Sequence, residues 1–174
     1  HSTLMQSENF PHVMFSPREK NVPKIQYLEL NVAARSLANN NSDGVDTNRA
    51  NVIQAEIVGM KDTAWTDAEL TTIDNEIKAL QAECLRVNGA TFSLNHVYFG
   101  NPKRMTDIEY KNYDGITGHM HVPDNDHTDP GNLDIVTIVK KIKGEQMTLG
   151  VSKILGTNIF PDTPNQRLIY GQIA

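Results

Sequence analysis

The sequence is poor in cysteine, which limits the chemistry available to it. Cys84 is the only cysteine among the 174 residues, so the chain has no internal disulfide. Cys84 also falls on the apolar side of a predicted helix. That position indicates a buried thiol, because reactive thiols need an electropositive and partly open environment. The lack of disulfides is typical of a reducing compartment or a virion protein, although a core of this size also permits secretion.

Long apolar runs and an excess of positive charge are missing as well. No run approaches the roughly 20 apolar residues that a membrane helix needs, so we expect no transmembrane segment. Lys and Arg number 16 against 21 Asp and Glu, a net charge of −5, which disfavours nucleic-acid binding. No signal peptide is visible. Because the chain begins at His1 rather than Met, we expect a processed or truncated end. The sequence does not indicate the cellular compartment of the protein.

The sequence also lacks the known catalytic signatures. The chain has no GxSxG, no glycine-rich phosphate loop, no CxxC and no HExxH. What it does have is a composition typical of globular proteins, with 39% hydrophobic and 21% charged residues. Its length suits one domain, residues 1–174. These features favour a protein that is not an enzyme.

One long amphipathic helix is predicted over residues 66–88. Thr66 and Glu69 form a capping box at its start, and Asn88 with Gly89 supplies a left-handed stop. Its apolar residues recur at spacings of three and four, which places them on one stripe. They are Leu70, Ile73, Ile77, Leu80, Cys84 and Val87. We expect this helix to pack across a sheet.

The remaining segments favour strands. Strands are predicted at Ile25–Val32, Thr91–Phe99, Leu133–Ile142, Met147–Leu155 and Arg167–Ile173, whereas Asn51–Val58 fits a helix or a strand. The segments from Leu133 and from Met147 are joined by a turn at Gly144 and form the strongest hairpin candidate. The predicted fold is therefore α+β: a mainly antiparallel sheet or partly closed barrel with the helix packed on it.

Histidine is concentrated in the segment GHMHVPDNDHTDP, residues 118–130. On a strand, His119 and His121 would point to the same face. His127 or an aspartate could reach back across the turn, and His96 is the first distant histidine that could join them. Zinc or another divalent metal accepts such ligands. The alternative is a solvated turn, because proline, glycine, Asn and Asp in this segment are strong turn formers.

Three functions remain open on this evidence. The first is a non-enzymatic structural or interaction protein, for example a viral or phage particle component or another oligomer-forming subunit, whose partner is a protein or a second copy. The second is a small metal-binding protein or metal-dependent enzyme centred on His119 and His121. The third is a β-barrel carrier of a small apolar ligand. Fold alone does not separate them, so the decision depends on the site.

Overall fold

The computed structural model describes residues 9–19, 24–37, 45–49, 51–59, 63–97 and 101–144, together with the backbone of residues 167–173. Within these residues the chain is α+β. Its strands are β1 (Val13–Phe15), β2 (Ile25–Gln26), β3 (Val52–Val58), β4 (Gly115–Gly118) and β5 (Arg167–Ile173). Its α-helices are α1 (Asp67–Asn88), α2 (Asp107–Asn112) and α3 (Ile135–Ile142), and a short 3-10 helix spans His119–His121.

The sheet is mixed and mostly parallel, with strand order β2-β1-β3-β5-β4. Among the described strands only the β1–β2 pair is antiparallel; β1–β3, β3–β5 and β4–β5 are parallel. The prediction of a mainly antiparallel sheet or partly closed barrel is therefore wrong, since the described sheet is open. Parallel strands need crossover connections. Helices α1 and α2 lie in the long connection from β3 to β4, which are separated in the sheet by β5, and α3 lies between β4 and β5 in the chain.

Helix α1 shows the local signals that its sequence carries. The Thr66 hydroxyl accepts from the backbone N–H of Glu69, and the Glu69 carboxylate accepts from the backbone N–H of Thr66. Gly89 ends the helix in the left-handed conformation, at φ 71°, and donates to the carbonyl of Leu85. Both ends are thus satisfied by neighbours in sequence, which is why a local pattern could locate them. Cys84 is fully buried, and burial raises the pKa of its thiol to about 12.

Several strand predictions are wrong. Leu133–Ile142 is not a strand, because Asp134 caps the backbone of Thr137 and the chain continues as helix α3. The hairpin therefore lacks its first arm, and its second arm, Met147–Leu155, lies outside the described residues. Ile25–Val32 contains only the two-residue strand β2, and residues 91–97 make a single bridge, between His96 and Ile116. Arg167–Ile173 is confirmed as a strand, and the ambiguous segment forms β3.

The two faces of the sheet are covered differently. Ile53, Ala55 and Ile57 of β3 pack into the larger core, which they share with the buried sides of α1 and α3. Val52 points to the opposite face, where a smaller cluster includes Tyr110 of α2 and Val122. Because side chains alternate along a strand, Gln54 and Glu56 belong to this second face. Both are buried, so the second face combines a small apolar core with buried polar groups.

Candidate metal centre

The histidine-rich turn begins where β4 ends, and it starts with a close approach of two backbone segments. Gly118 is the last residue of β4, and a Cβ atom placed on it would lie 2.6 Å from Cδ of Pro130. The backbone N–H of Met120 donates to the carbonyl of Asp129 at 3.0 Å. Glycine is therefore required at this point, and the segment from Asp129 is held directly against the 3-10 helix.

His121 is a structural residue of this turn. Its ring is fully buried, and its Nδ1 accepts a hydrogen bond from the backbone N–H of Gly118 at 3.2 Å. Because that N–H can only donate, the ring proton is on Nε2, which donates to the carbonyl of Asn101 at 2.7 Å. Both ring nitrogens are engaged by backbone groups. His121 therefore ties the end of β4 to the segment that leads into α2.

His119 lies beside His127, and one carboxylate contacts both. Oδ2 of Asp129 is 3.2 Å from Nδ1 of His119, and Oδ1 of Asp129 is 3.3 Å from Nδ1 of His127. The two imidazole rings stack with centroids 4.2 Å apart and an angle of 13° between their planes. The side chain of His119 is 5% exposed, whereas that of His127 is 55% exposed. The pair thus joins a fixed, buried ring to one at the surface.

These contacts leave one nitrogen of His119 available. Its Nε2 atom is buried and has no hydrogen-bond partner among the residues that the structure describes. An unsatisfied buried polar atom costs about 1–3 kcal/mol, so its persistence needs an explanation. With Asp129 accepting the proton of Nδ1, the Nε2 lone pair could bind a metal ion in the orientation that carboxylate–histidine–zinc arrangements use. Ligand atoms of His119, His127 and Asp129 lie within 4.8 Å of one another, close enough to share one ion.

The structure places the four histidines of the sequence hypothesis in different environments. His119 and His127 come together, whereas His121 is committed to backbone groups. His96 pairs with Ile116 along the outer edge of β4 and is not a member of the group that could hold an ion among the described residues. The expected placement of His119 and His121 on one face of a strand is wrong because they occupy a 3-10 helix.

Glu56 is a buried carboxylate within the electrostatic influence of Asp129 that sequence reasoning missed, although it lies outside the group of three described residues that could hold an ion. It is 8% exposed on the polar face of β3, and burial followed by the negative charge of Asp129 raises its pKa to about 8. The only signal available was the alternation of polar Gln54 and Glu56 with apolar neighbours in β3. Nothing in that pattern indicated which loop would cover them.

Another histidine, His12, lies on the same polar face directly before β1. Its ring is fully buried, its Nδ1 accepts from the backbone N–H of Gln54 at 3.0 Å, and its Nε2 lies 3.0 Å from the carbonyl of Val32. Burial lowers the pKa of His12, which keeps the ring neutral. His12 therefore fastens β1 to its neighbours, as His121 fastens β4.

No helix among the described residues has the length and apolar character needed to cross a membrane. Comparison of the chain with protein-family models, curated proteins and solved structures gave no match.

Proposed function

We propose that the protein binds a divalent transition-metal ion, zinc first, at the His119–His127 pair. The observation that carries this proposal is the buried Nε2 atom of His119, which has no hydrogen-bond partner in the described part of the chain and lies beside a second imidazole. His119 and His127 supply nitrogen ligands, and Asp129 holds both rings through their Nδ1 atoms. Imidazole and carboxylate together suit zinc, and other divalent metals of the first transition row bind the same groups.

Because His127 is exposed and His119 is buried, an ion from solvent would reach the site at His127 first. His119 is held in place by its burial and by Asp129, so its orientation is already that of a ligand. His127 lies at the surface, and rotation of its exposed side chain would replace the ring stack by an approach to the same ion. Two protein nitrogens leave coordination positions for further ligands, which is the pattern of catalytic rather than structural zinc.

The test is isothermal titration calorimetry of the full chain with zinc chloride after treatment with a chelator. We expect one ion per chain. The variant His127→Ala removes an exposed ligand at little cost to folding and should weaken binding by at least tenfold. His96→Ala removes a histidine outside the group and serves as the matched control, with wild-type affinity. Absence of stoichiometric binding to the wild-type chain, or equal weakening by both variants, would refute the proposal.

A further inference from the structure

The pairing of β3 and β4 with β5 sets the level of Glu56 relative to the histidine turn. Ala55 of β3 and Gly118 of β4 both pair with Tyr170 of β5. One residue further along, Glu56 pairs with Gly171, and His119 follows Gly118 directly. His119, the first residue of the 3-10 helix, therefore continues from Gly118 toward the level of Glu56, and the two residues lie on opposite sides of β5.

The residue between them carries no side chain. Neighbouring strands lie about 4.7–4.9 Å apart, so residues two strands apart at one level are separated by roughly 10 Å between Cα atoms. A glutamate and a histidine that extend over a glycine can bridge such a gap through a shared ion, whereas a larger central residue would stand between them. Gly171 thus adds no side chain of its own between the two elements.

Glu56 shares its face of the sheet with residues next to the histidine turn, and it is affected by the charge of Asp129. Its side chain lies on the face that also holds Val52, which clusters with Val122, the residue that follows the 3-10 helix. The negative charge of Asp129 also raises the pKa of Glu56, so each carboxylate lies within the electrostatic influence of the other. Two buried carboxylates beside an imidazole with a free lone pair form a set of groups whose mutual repulsion a cation relieves.

We propose that Glu56 is a further ligand of the metal ion, the carboxylate that reaches it across Gly171. This inference rests on the proposed function. The ligands are then His119, His127 and Glu56, with Asp129 as the carboxylate that orients the rings. Two histidines and one carboxylate are a ligand set found in zinc hydrolases and in non-haem iron enzymes, and they leave positions for water or a substrate oxygen.

The experiment compares zinc binding by the wild-type chain, Glu56→Gln and Glu76→Gln. Glu76 is the matched control because it is a partly exposed glutamate on α1, whose buried side packs on the other face of the sheet, and it is paired with Lys24. We expect Glu56→Gln to weaken binding at least tenfold and to change the visible absorption spectrum of the Co²⁺-loaded protein, while Glu76→Gln changes neither. Gly171→Ala tests the gap itself and should weaken binding without removing any ligand.

The outcomes separate the two proposals. If the wild-type chain binds zinc and Glu56→Gln binds it equally well with an unchanged Co²⁺ spectrum, Glu56 is not a ligand and the histidine site stands. If the wild-type chain binds no zinc, the proposed function fails, and this inference fails with it. Circular dichroism of each variant establishes that it is folded before the titration.

Discussion

Replacing His121 by alanine should destabilise the protein, although the same residue looked like a metal ligand in the sequence. The substitution removes two hydrogen bonds to the backbone, at Gly118 and Asn101. The N–H of Gly118 is buried and would lose its partner, which costs about 2 kcal/mol, within the 1–3 kcal/mol range for such groups. The carbonyl of Asn101 belongs to an exposed residue, so water recovers most of its bond and the loss there is about 0.5 kcal/mol. Lost packing of a fully buried ring adds about 1 kcal/mol.

The expected total is about 3–4 kcal/mol, a large share of the 5–15 kcal/mol typical of a domain. Urea denaturation followed by circular dichroism measures it, in the presence of a chelator so that metal binding does not contribute. His121→Asn keeps an acceptor oxygen near the position of Nδ1 and should recover part of the loss. His127→Ala, at an exposed ring, should change stability by less than about 0.5 kcal/mol. A loss below 1 kcal/mol for His121→Ala would show that these two bonds do not hold the turn.

Three further outcomes are expected. In the chelated protein Glu56→Gln should be more stable than wild type by on the order of 3 kcal/mol at pH 7, because the folded pKa of about 8 exceeds the ordinary glutamate pKa of 4.5. That advantage should shrink as the pH falls toward 4.5, where wild-type Glu56 is protonated in both states; a pH-independent difference in urea midpoints would contradict it. The lowered pKa of His12 means that its contribution to stability is lost as the pH falls below 6.5, and nuclear magnetic resonance should show its ring titrating below that value; titration at or above 6.5 would contradict the buried neutral ring. If the protein is an assembling structural subunit, light scattering should find oligomers at high concentration, and a strict monomer would count against that hypothesis.

Predictions succeeded where the determining contacts are close in sequence. The ends of α1 follow from Thr66, Glu69 and Gly89, which interact within one turn. Helix α3 was misassigned because its β-branched residues favour strands, while its packing against α1 and the cap from Asp134 favour a helix. Tertiary contacts decide such cases, since intrinsic preferences amount to less than about 1 kcal/mol per residue.

In the candidate site, too, contacts close in sequence could be predicted and tertiary contacts could not. His119 and His127 were available from the sequence because one short turn carries both. The separate roles of His119 and His121 could not be read from it, since they depend on Asn101 and on the path of the chain after Asp129. The place of Glu56 near the turn could not be predicted from the sequence, because it depends on the register of β3 with β5.

The position of β5 also has a consequence for the order of folding. This strand lies between β3 and β4, with seven pairs to β3 and four to β4, yet it follows both of them in the chain. The loop closed by the β3–β5 pairing exceeds one hundred residues, and such distant pairings form slowly. During synthesis β3 and β4 emerge first and cannot take up their final spacing until residues 167–173 are inserted between them. The proposed metal centre, in which Glu56 and His119 lie on opposite sides of that strand, would therefore be among the last parts of the molecule to assemble.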